Sequence, residues 1–204
     1  MRAALDAGCL FWNGGEFYGK PSYNSMTLLE RYFTKYPEDA DKVVLSMKGG
    51  VDIPTLKPNS SPESLRESVD NITGQLKGCK KVDMFECARR DPKRPLEETF
   101  GILNREYVDT GKIGGISLSE VSATTIHEAA KVTKIAAVEV ELSLWATEPL
   151  ENGVAAACAQ YGIPLVAYSP VGRGVSRRPP PKSPVLEPRG HGSTYLTTMP
   201  SVRN

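Results

Sequence analysis

The chain has 204 residues and a formal net charge of +1 at pH 7, and 40% of its residues are hydrophobic and 24% charged. This composition is that of an ordinary globular domain and excludes wholesale disorder and fibrous classes. Because a near-neutral chain attracts neither a nucleic-acid backbone nor an anionic membrane, and no apolar run approaches the roughly 20 residues that span a bilayer, we predict a cytoplasmic protein with no nucleic-acid or membrane partner.

Short apolar runs alternate with longer segments of helical periodicity from the start of the chain to about Gly172. This alternation is typical of an α/β fold with a parallel sheet. Six runs are predicted strands. They cover residues 9–12, 43–47, 82–87, 113–117, 135–141 and 165–169.

Five helices are predicted between these strands. One has Ser61 as its N-cap and Pro62 in its first turn, followed by apolar residues at spacings of three and four. The others cover residues 25–36, 95–111, 123–132 and 150–161. Residues 1–7 resemble the end of a helix closed by Gly8, and no strand precedes them. A first strand is therefore expected to be absent.

Residues 175–204 differ in character from the rest of the chain. They hold six of the sixteen prolines and five Lys or Arg residues, without apolar periodicity. We predict a disordered, Pro-rich basic tail that follows a single domain of residues 1–174. The alternative is that the tail is a docking peptide for an SH3-like module.

No metal site is predicted, because the four cysteines form no C-x-x-C pair and neither histidine lies at ligand spacing from them. The cysteines are expected to be reduced thiols packed in the interior. They are Cys9, Cys79, Cys87 and Cys158.

A tyrosine and a lysine follow neighbouring predicted strands, Tyr18 after the first and Lys48 after the second. In a parallel α/β barrel the active site lies at the carboxyl ends of the strands. The pair suits carbonyl reduction, because the alkoxide that forms when hydride arrives needs a proton. A free phenol has a pKa of about 10, and Lys48 is expected to lower the pKa of Tyr18 and make it a better acid near neutrality.

Six motifs follow, in order, the strand-end motifs of the aldo-keto reductases. They are WNGGEFYG, LSMKGG, VDMFECARRDP, GKIGGISLSE, AAVEVELSLW and LVAYSPVGRG. The chain most resembles the yeast-type pyridoxal reductase branch, and the resemblance covers residues 1 to about 174. It implies an incomplete (β/α)8 TIM barrel, with about six of the eight strands present and both ends truncated.

The resemblance also implies roles for site residues. Tyr18 is the proton donor and Lys48 its partner, and the implied cofactor is NADPH. Four further residues occupy positions that contact the nicotinamide or stack on it. These are Ser117, Glu139, Tyr168 and Ser169.

Two positions depart from the family pattern, whose usual aspartate falls at Asn13 and whose usual histidine falls at Ala88. Without the aspartate, Lys48 lacks its usual partner charge. Ala88 cannot donate a hydrogen bond to the substrate oxygen, and Asn13 is the candidate for orienting the carbonyl instead. The pyridoxal reductase branch resembles this chain at both positions.

Acidic and basic side chains near the third and fifth strands have two interpretations. Glu86 and Arg89 either contact substrate or form an ion pair at the strand end. Glu139 and Glu141 alternate with valines, so both acids are expected on one strand face, which in a closed barrel is the interior. Buried acids need partners, and Lys48 is a candidate for one of them.

The resemblance implies an NADPH-dependent reductase of a small-molecule aldehyde, with pyridoxal reduced to pyridoxine as the specific expectation. The strand and loops that grip the cofactor phosphates in the family are expected to be missing, which would weaken cofactor binding. Two alternatives stay open. One is a truncated, catalytically inactive product, and the other is an interaction protein that self-associates through open barrel edges.

Overall fold

A computed structural model describes residues 1–175. The predicted tail, apart from Val175, lies outside the described residues. Within residues 1–175 no helix is both long and apolar enough to cross a membrane.

Six parallel strands form one sheet, and their order in the sheet is their order in the chain. They are β1 (Phe11–Gly15), β2 (Val44–Gly49), β3 (Met84–Cys87), β4 (Ile116–Ser119), β5 (Ile135–Glu141) and β6 (Leu165–Tyr168). Two short antiparallel hairpins lie outside this sheet. One pairs Gly19–Lys20 with Tyr23–Asn24, and the other pairs Val51–Asp52 with Lys57–Pro58.

The six strands occur where the sequence predicts them, but several reach further toward the site. Asn13 to Gly15 and Lys48 lie inside β1 and β2, because Gly15 pairs with Lys48 in the parallel ladder. β4 begins three residues later than predicted and includes Ser119. β6 ends at Tyr168, since Ser169 has a left-handed backbone with φ 52°.

Helices cover the outer face of the sheet. They are α1 (Arg2–Asp6), α2 (Ser25–Lys35), α3 (Pro62–Gln75), α4 (Leu96–Leu103), α5 (Ala123–Val132), α6 (Glu148–Glu151) and α7 (Val154–Gln160). A 3-10 turn (Pro37–Lys42) follows α2, a π turn (Asn104–Val108) extends α4, and a short 3-10 turn (Gly172–Gly174) follows β6.

The predicted helix ends are confirmed at α3, where the side chain of Ser61 accepts a hydrogen bond from the backbone N–H of Ser64 and Pro62 opens the first turn. The single helix predicted over residues 150–161 is wrong. Gly153 has φ 90° and separates α6 from α7, because this left-handed conformation cannot continue a right-handed helix.

Alternation along β2 shows how the sheet separates two environments. Leu45 and Met47 are fully buried and belong to the same hydrophobic cluster as Leu65 of α3. Ser46 and Lys48 alternate with them along the strand and therefore face the opposite, inner side of the curved sheet. The apolar core thus lies between sheet and helices, and the polar residues share the inner face.

The sheet curls strongly, as a contact between its first and fifth strands shows. Asn13 of β1 donates a hydrogen bond to Glu139 of β5 over 2.8 Å, although three strands lie between them in the sheet. Only a curved sheet brings these side chains together. The described residues therefore form an incomplete (β/α)8 barrel, as predicted.

Gly49 gives a test of the packing between β2 and α3. A Cβ atom placed there would overlap the Ser68 hydroxyl and lie 2.8 Å from the Phe85 ring, so Gly49→Ala should destabilise the fold by about 1–3 kcal/mol. Gly74 of α3 is the matched control, because its Cβ would meet nothing within 4 Å. Gly74→Ala should be neutral or stabilise by up to about 1 kcal/mol. Urea unfolding measures both, and equal stability of the two variants would contradict this packing.

Candidate active site

Three buried ionisable side chains occupy the inner face of the sheet. The Nζ atom of Lys48 lies 2.8 Å from Oε1 of Glu86 and 2.5 Å from Oε1 of Glu139. The side chains are only 5%, 1% and 4% exposed, respectively. One ammonium therefore serves two carboxylates in a nearly dry interior.

Strand register explains how these groups meet. Lys48 of β2 pairs with Glu86 of β3, and Glu86 pairs in turn with Ser117 of β4. Ser119 of β4 pairs with Glu139 of β5. Because paired residues in neighbouring strands project to the same face, these residues form two adjacent rows on the inner face.

Asn13 completes the cluster from the exposed edge strand β1. Its Nδ2 atom donates to the same Oε1 atom of Glu139 that contacts Lys48. An aspartate at this position would have no N–H to donate, and its charge would add a third acid beside one lysine. Asn13 therefore stabilises the Glu139 carboxylate instead of pairing with Lys48.

Burial lowers the pKa of Lys48, but the opposite effect of its acidic partners is larger. Desolvation alone would lower the pKa of the Lys48 ammonium, whereas Glu86 and Glu139 together hold the pKa above its usual value. In the resting site, Lys48 is therefore a cation near neutral pH. Of the two interpretations of Glu86, the ion pair is present in the structure, and its partner is Lys48 rather than Arg89.

The carboxyl group of Glu86 is the most perturbed acid in this cluster. Burial, followed by the neighbouring acid Glu139, raises the pKa of Glu86 to about 7, although Lys48 acts in the opposite direction. The Oε2 atoms of Glu86 and Glu139 are both buried and have no hydrogen-bond partner within the described part of the chain. A buried acceptor without a donor is costly, so protonation of one carboxyl would relieve this arrangement.

Tyr18 lies in the loop between β1 and α2 at the mouth of the cluster. Its backbone N–H donates to the carbonyl of Gly15 over 3.0 Å, and its carbonyl accepts from the N–H of Ser25, also over 3.0 Å. The ring lies so close to Gly15 that a Cβ atom there would be 3.0 Å from it. Tyr18 is 42% exposed, which leaves it accessible to a ligand.

The expected lowering of the Tyr18 pKa is not what the structure gives. Desolvation raises the pKa of the phenol, and the charges of Glu139 and Glu86 raise it further. Lys48 and Arg89 lower it, but they do not offset the other contributions. The phenol therefore stays protonated at neutral pH, which is the form that a proton donor needs.

Serine hydroxyls form a second polar row beside the charges. The hydroxyls of Ser46 and Ser117 are 3.4 Å apart, and Ser46 also donates to Glu86 over 3.5 Å. Ser117 is thus in contact with the cluster. The hydroxyl of Ser119 is buried without a hydrogen-bond partner and is a further candidate for a ligand contact.

Tyr168 and Ser169 lie at the end of β6, where Tyr168 pairs with Glu141 of β5, and both are half-buried. Burial, followed by the neighbouring Glu120, raises the pKa of Tyr168 and keeps its phenol neutral. Arg89 is half-buried and donates to the carbonyl of Ala88 over 2.6 Å. Its charge acts on both Tyr18 and Tyr168, so it lies within electrostatic reach of both phenols.

Glu141 was expected on the same strand face as Glu139, and Ala88 stands where the family usually has a histidine. Glu141 is paired with Arg173 over 3.1 Å near the surface, so it does not join the cluster of Glu139. Ala88 is 4% exposed, and its N–H donates to the carbonyl of Gly49. Its side chain offers no hydrogen bond to a substrate.

A hydrogen-bond network that the sequence does not reveal holds the Tyr18 loop in place. Glu16 accepts hydrogen bonds from the hydroxyl of Ser68 over 2.5 Å and from the amide of Asn71 over 2.7 Å. The Ser68 hydroxyl also accepts from the N–H of Gly50, and the N–H of Glu16 donates to the carbonyl of Lys48. The loop carrying Tyr18 is thereby tied to α3 and to the end of β2.

The site residues missed from the sequence are of two kinds. Ser46 and Ser119 each lie two residues from a predicted site residue, so period-two alternation along the strand is the signal that finds them. Glu16 meets Ser68 and Asn71 more than 50 residues away in the chain, and no local pattern reports such a contact.

A curled parallel sheet with a tyrosine and a buried lysine at the strand ends is the arrangement expected of an aldo/keto reductase. The sequence model of the Aldo/keto reductase family matches residues 1–190. The chain belongs to the aldo/keto reductase family.

Two yeast proteins are similar in sequence to this chain. The chain is 47% identical over 176 residues to "Probable pyridoxal reductase 2" of Schizosaccharomyces pombe. The aligned region covers 86% of this chain and 53% of that protein. It is 40% identical over 173 residues to "Putative pyridoxal reductase" of Saccharomyces cerevisiae, covering 81% of this chain and 49% of that protein. The chain therefore spans about half the length of the curated relatives it matches.

A solved structure gives independent support for the fold. It is the "Crystal structure of a putative 2,5-diketo-D-gluconic acid reductase B", which superposes with a TM-score of 0.70 at 23% identity. The match covers 85% of this chain and 57% of that chain. At this identity the likeness concerns the fold alone.

The central lysine gives a test of the cluster. Lys48→Met should destabilise the fold by about 3–5 kcal/mol, because it leaves two buried acids without their cation. Lys77→Met is the matched control, since Lys77 is 71% exposed and pairs with Glu30 at the surface, where a change within about 1 kcal/mol is expected. Urea unfolding compares the two, and similar losses would show that Lys48 is not the buried ion-pair centre.

Proposed function

We propose that the site reduces an aldehyde to an alcohol with NADPH, as an oxidoreductase of the aldo/keto reductase family. The observation that carries the proposal is the neutral phenol of Tyr18 within electrostatic reach of the Lys48 ammonium at the strand ends. These are the two groups that carbonyl reduction needs from the protein: a proton donor and a charge that stabilises the donor after the proton has left.

The proton chemistry follows from this pair. NADPH would supply the hydride that turns the carbonyl carbon into an alkoxide carbon. Tyr18 donates its phenolic proton to the alkoxide oxygen, which yields the alcohol and a phenolate. The phenolate lies in the field of Lys48, whose positive charge is secured by Glu86 and Glu139. The cluster thus favours the state that follows proton transfer.

The residues present fit the polar end of a nicotinamide. The buried hydroxyl of Ser119 has no hydrogen-bond partner, and neither does Oε2 of Glu139. Both lie on the inner face at the strand ends, where a carboxamide could use one acceptor and one hydroxyl. Ser117, Tyr168 and Ser169 are proposed to line the same site. A further relative, 33% identical over 177 residues, is named "Aldo-keto reductase yakc [NADP(+)]", which supports the choice of dinucleotide.

For the substrate we propose pyridoxal, reduced to pyridoxine. The support is that the two yeast relatives at 47% and 40% identity carry pyridoxal reductase in their names.

Ala88 provides no hydrogen-bond donor to the substrate. Tyr18 is therefore proposed to orient the carbonyl oxygen together with Asn13, whose exposed amide has a second N–H beyond the one given to Glu139. Arg89, half-buried near Tyr18, is proposed to contact the substrate.

A reducing compartment is proposed as the place of the reaction. The four cysteines lie among the described residues and all are free thiols. The prediction that all four pack in the interior is wrong, because Cys9 is exposed, Cys79 and Cys87 are half-buried, and Cys158 alone of the four is buried. Free thiols persist in the cytoplasm, which supports the predicted location.

The first measurement is a fluorescence titration of the purified chain with NADPH, followed by turnover of pyridoxal. Tyr18→Phe should bind NADPH as the wild type does but lose at least about 100-fold in kcat, because the phenylalanine ring has no proton to give. Tyr23→Phe is the control, since Tyr23 is 58% exposed and outside the site, and it should keep full activity. Absence of saturable binding by folded protein would reject the enzyme proposal for this chain and favour the inactive alternative.

A second proposal concerns assembly through the open strand edges. Among residues 1–175, β1 and β6 each have a sheet neighbour on one side only. Such edges present unpaired backbone groups that can pair with a second copy. Light scattering after size exclusion should show dimers or larger species that increase with concentration. A monomer at all concentrations would reject self-association.

A further inference from the structure

The buried cluster has a net negative charge if all three of its groups are ionised. Lys48 contributes one positive charge, whereas Glu86 and Glu139 contribute two negative charges, and all three are at most 5% exposed. A net negative charge in a dry interior carries a large desolvation penalty. Binding one proton removes that net charge.

The hydrogen-bond donors are divided unequally between the two acids. Oε1 of Glu139 receives two close donors, Nζ of Lys48 at 2.5 Å and Nδ2 of Asn13 at 2.8 Å. Glu86 receives Nζ at 2.8 Å, and its next donor, Ser46, lies at 3.5 Å. Because donors stabilise the ionised form, Glu139 is the better carboxylate and Glu86 the better place for a proton.

The two Oε2 atoms support the same assignment. Neither has a hydrogen-bond partner among residues 1–175. Oε1 of Glu86 and Oε1 of Glu139 both contact Nζ of Lys48. A proton on Glu86 would therefore supply the donor that this pair lacks.

Several ionisable groups face Glu86 from the elements packed around it. Lys48 lies on β2 and Glu139 on β5, while Tyr18 acts from the loop after β1. On its own strand, Cys87 is half-buried, and its pKa is raised to about 12 by desolvation and then by Glu86 and Asp91, so this thiol stays neutral. Lys48 is thus the cation in direct contact, and Glu139 already shares it.

We propose that Glu86 carries a proton at neutral pH and is the reserve from which Tyr18 is reprotonated, acting through Lys48. The reprotonation rests on the proposed reductase function, whereas the bound proton does not. After Tyr18 has given its proton to the alkoxide, an ammonium N–H proton of Lys48 passes to the phenolate. The carboxyl proton of Glu86 passes to the resulting amine, which leaves Glu86 ionised until solvent returns a proton. Glu86 is a positioning residue in this scheme, since it reaches the reacting atoms only through Lys48.

The bound proton is tested without cofactor, by ¹³C NMR of glutamate side-chain carboxyl carbons as a function of pH. The Glu86 signal is assigned by its absence in Glu86→Gln, an isosteric change. We expect Glu86 to titrate near pH 7, the value that its surroundings indicate. In Glu139→Gln the competing acid is gone, so the midpoint of Glu86 should fall by at least about one pH unit. Glu106, an exposed partner of Arg66, is the control and should titrate in the acid range.

A Glu86 carboxyl that stays ionised down to pH 5 would overturn the proposal. So would an unchanged midpoint in Glu139→Gln, because the proton would then not depend on the shared lysine. If Glu86→Gln fails to fold, Glu139→Gln still decides, since the one glutamate signal that titrates near neutrality in the wild type must move in that variant.

The proton on Glu86 determines the direction in which the stability of the fold changes with pH. The pKa of Glu86 is raised in the folded chain from its usual 4.5 to about 7, so between these values the folded state binds more protons than the unfolded state. The stabilising contribution of the protonated acid is full below the lower value and is lost as the pH rises toward the upper one. The unfolding constant should rise on the order of 100-fold over this range, and Glu86→Gln should flatten this rise. An equally steep rise in Glu86→Gln would contradict the assignment.

The reprotonation step is tested where the chain turns over pyridoxal. Glu86→Gln should keep the rate of the first turnover, because Tyr18 starts out protonated. Its steady-state kcat should fall about tenfold with an unchanged KM, and the fall of activity above pH 7 should disappear from its pH profile. Equal losses in the first and later turnovers would overturn the reserve role. Failure to bind NADPH would reject the reductase proposal but would leave the NMR result on the bound proton intact.

Discussion

One buried ammonium group organises the inner face of this protein. Lys48 is within 2.8 Å of acids on β3 and β5, and those contacts fix the side-chain positions on three strands. A buried cation needs partners at close range, because the interior offers no water to replace them. The curl of the sheet, the place of Asn13 on β1 and the charge state available to Tyr18 all depend on how that requirement is met.

The departures from the family pattern are connected through the same group. Asn13 stands where the family usually has aspartate, so a carboxylate is missing at the edge strand. Glu86 and Glu139 provide carboxylates from inside the sheet, and Asn13 donates to one of them. Lys48 therefore has acidic partners although the edge strand supplies none.

Much of the fold and part of the site could be predicted from the sequence, and the difference has a physical basis. Strand β5 and helix α5 match the predicted residues because local periodicity and breakers define them. The helix break at Gly153 was missed, since an apolar face continues across a residue whose backbone turns left-handed. Tyr18 and Lys48 were found through ordered motifs. The double pairing of Lys48 and the support of Glu16 were not, because they depend on contacts between residues 38 to 91 or 52 to 55 positions apart.

The hydrogen bond between Asn13 and Glu139 joins residues 126 positions apart and has a consequence for how the chain folds. Contacts of such long range form late, after the loop entropy between them has been overcome. Until β5 reaches the sheet, Lys48 and Glu86 have no Glu139 beside them, and a partly folded chain must keep water there to solvate them. The charge balance of the cluster is therefore complete only once β5 has joined the sheet and brought Glu139 to Lys48.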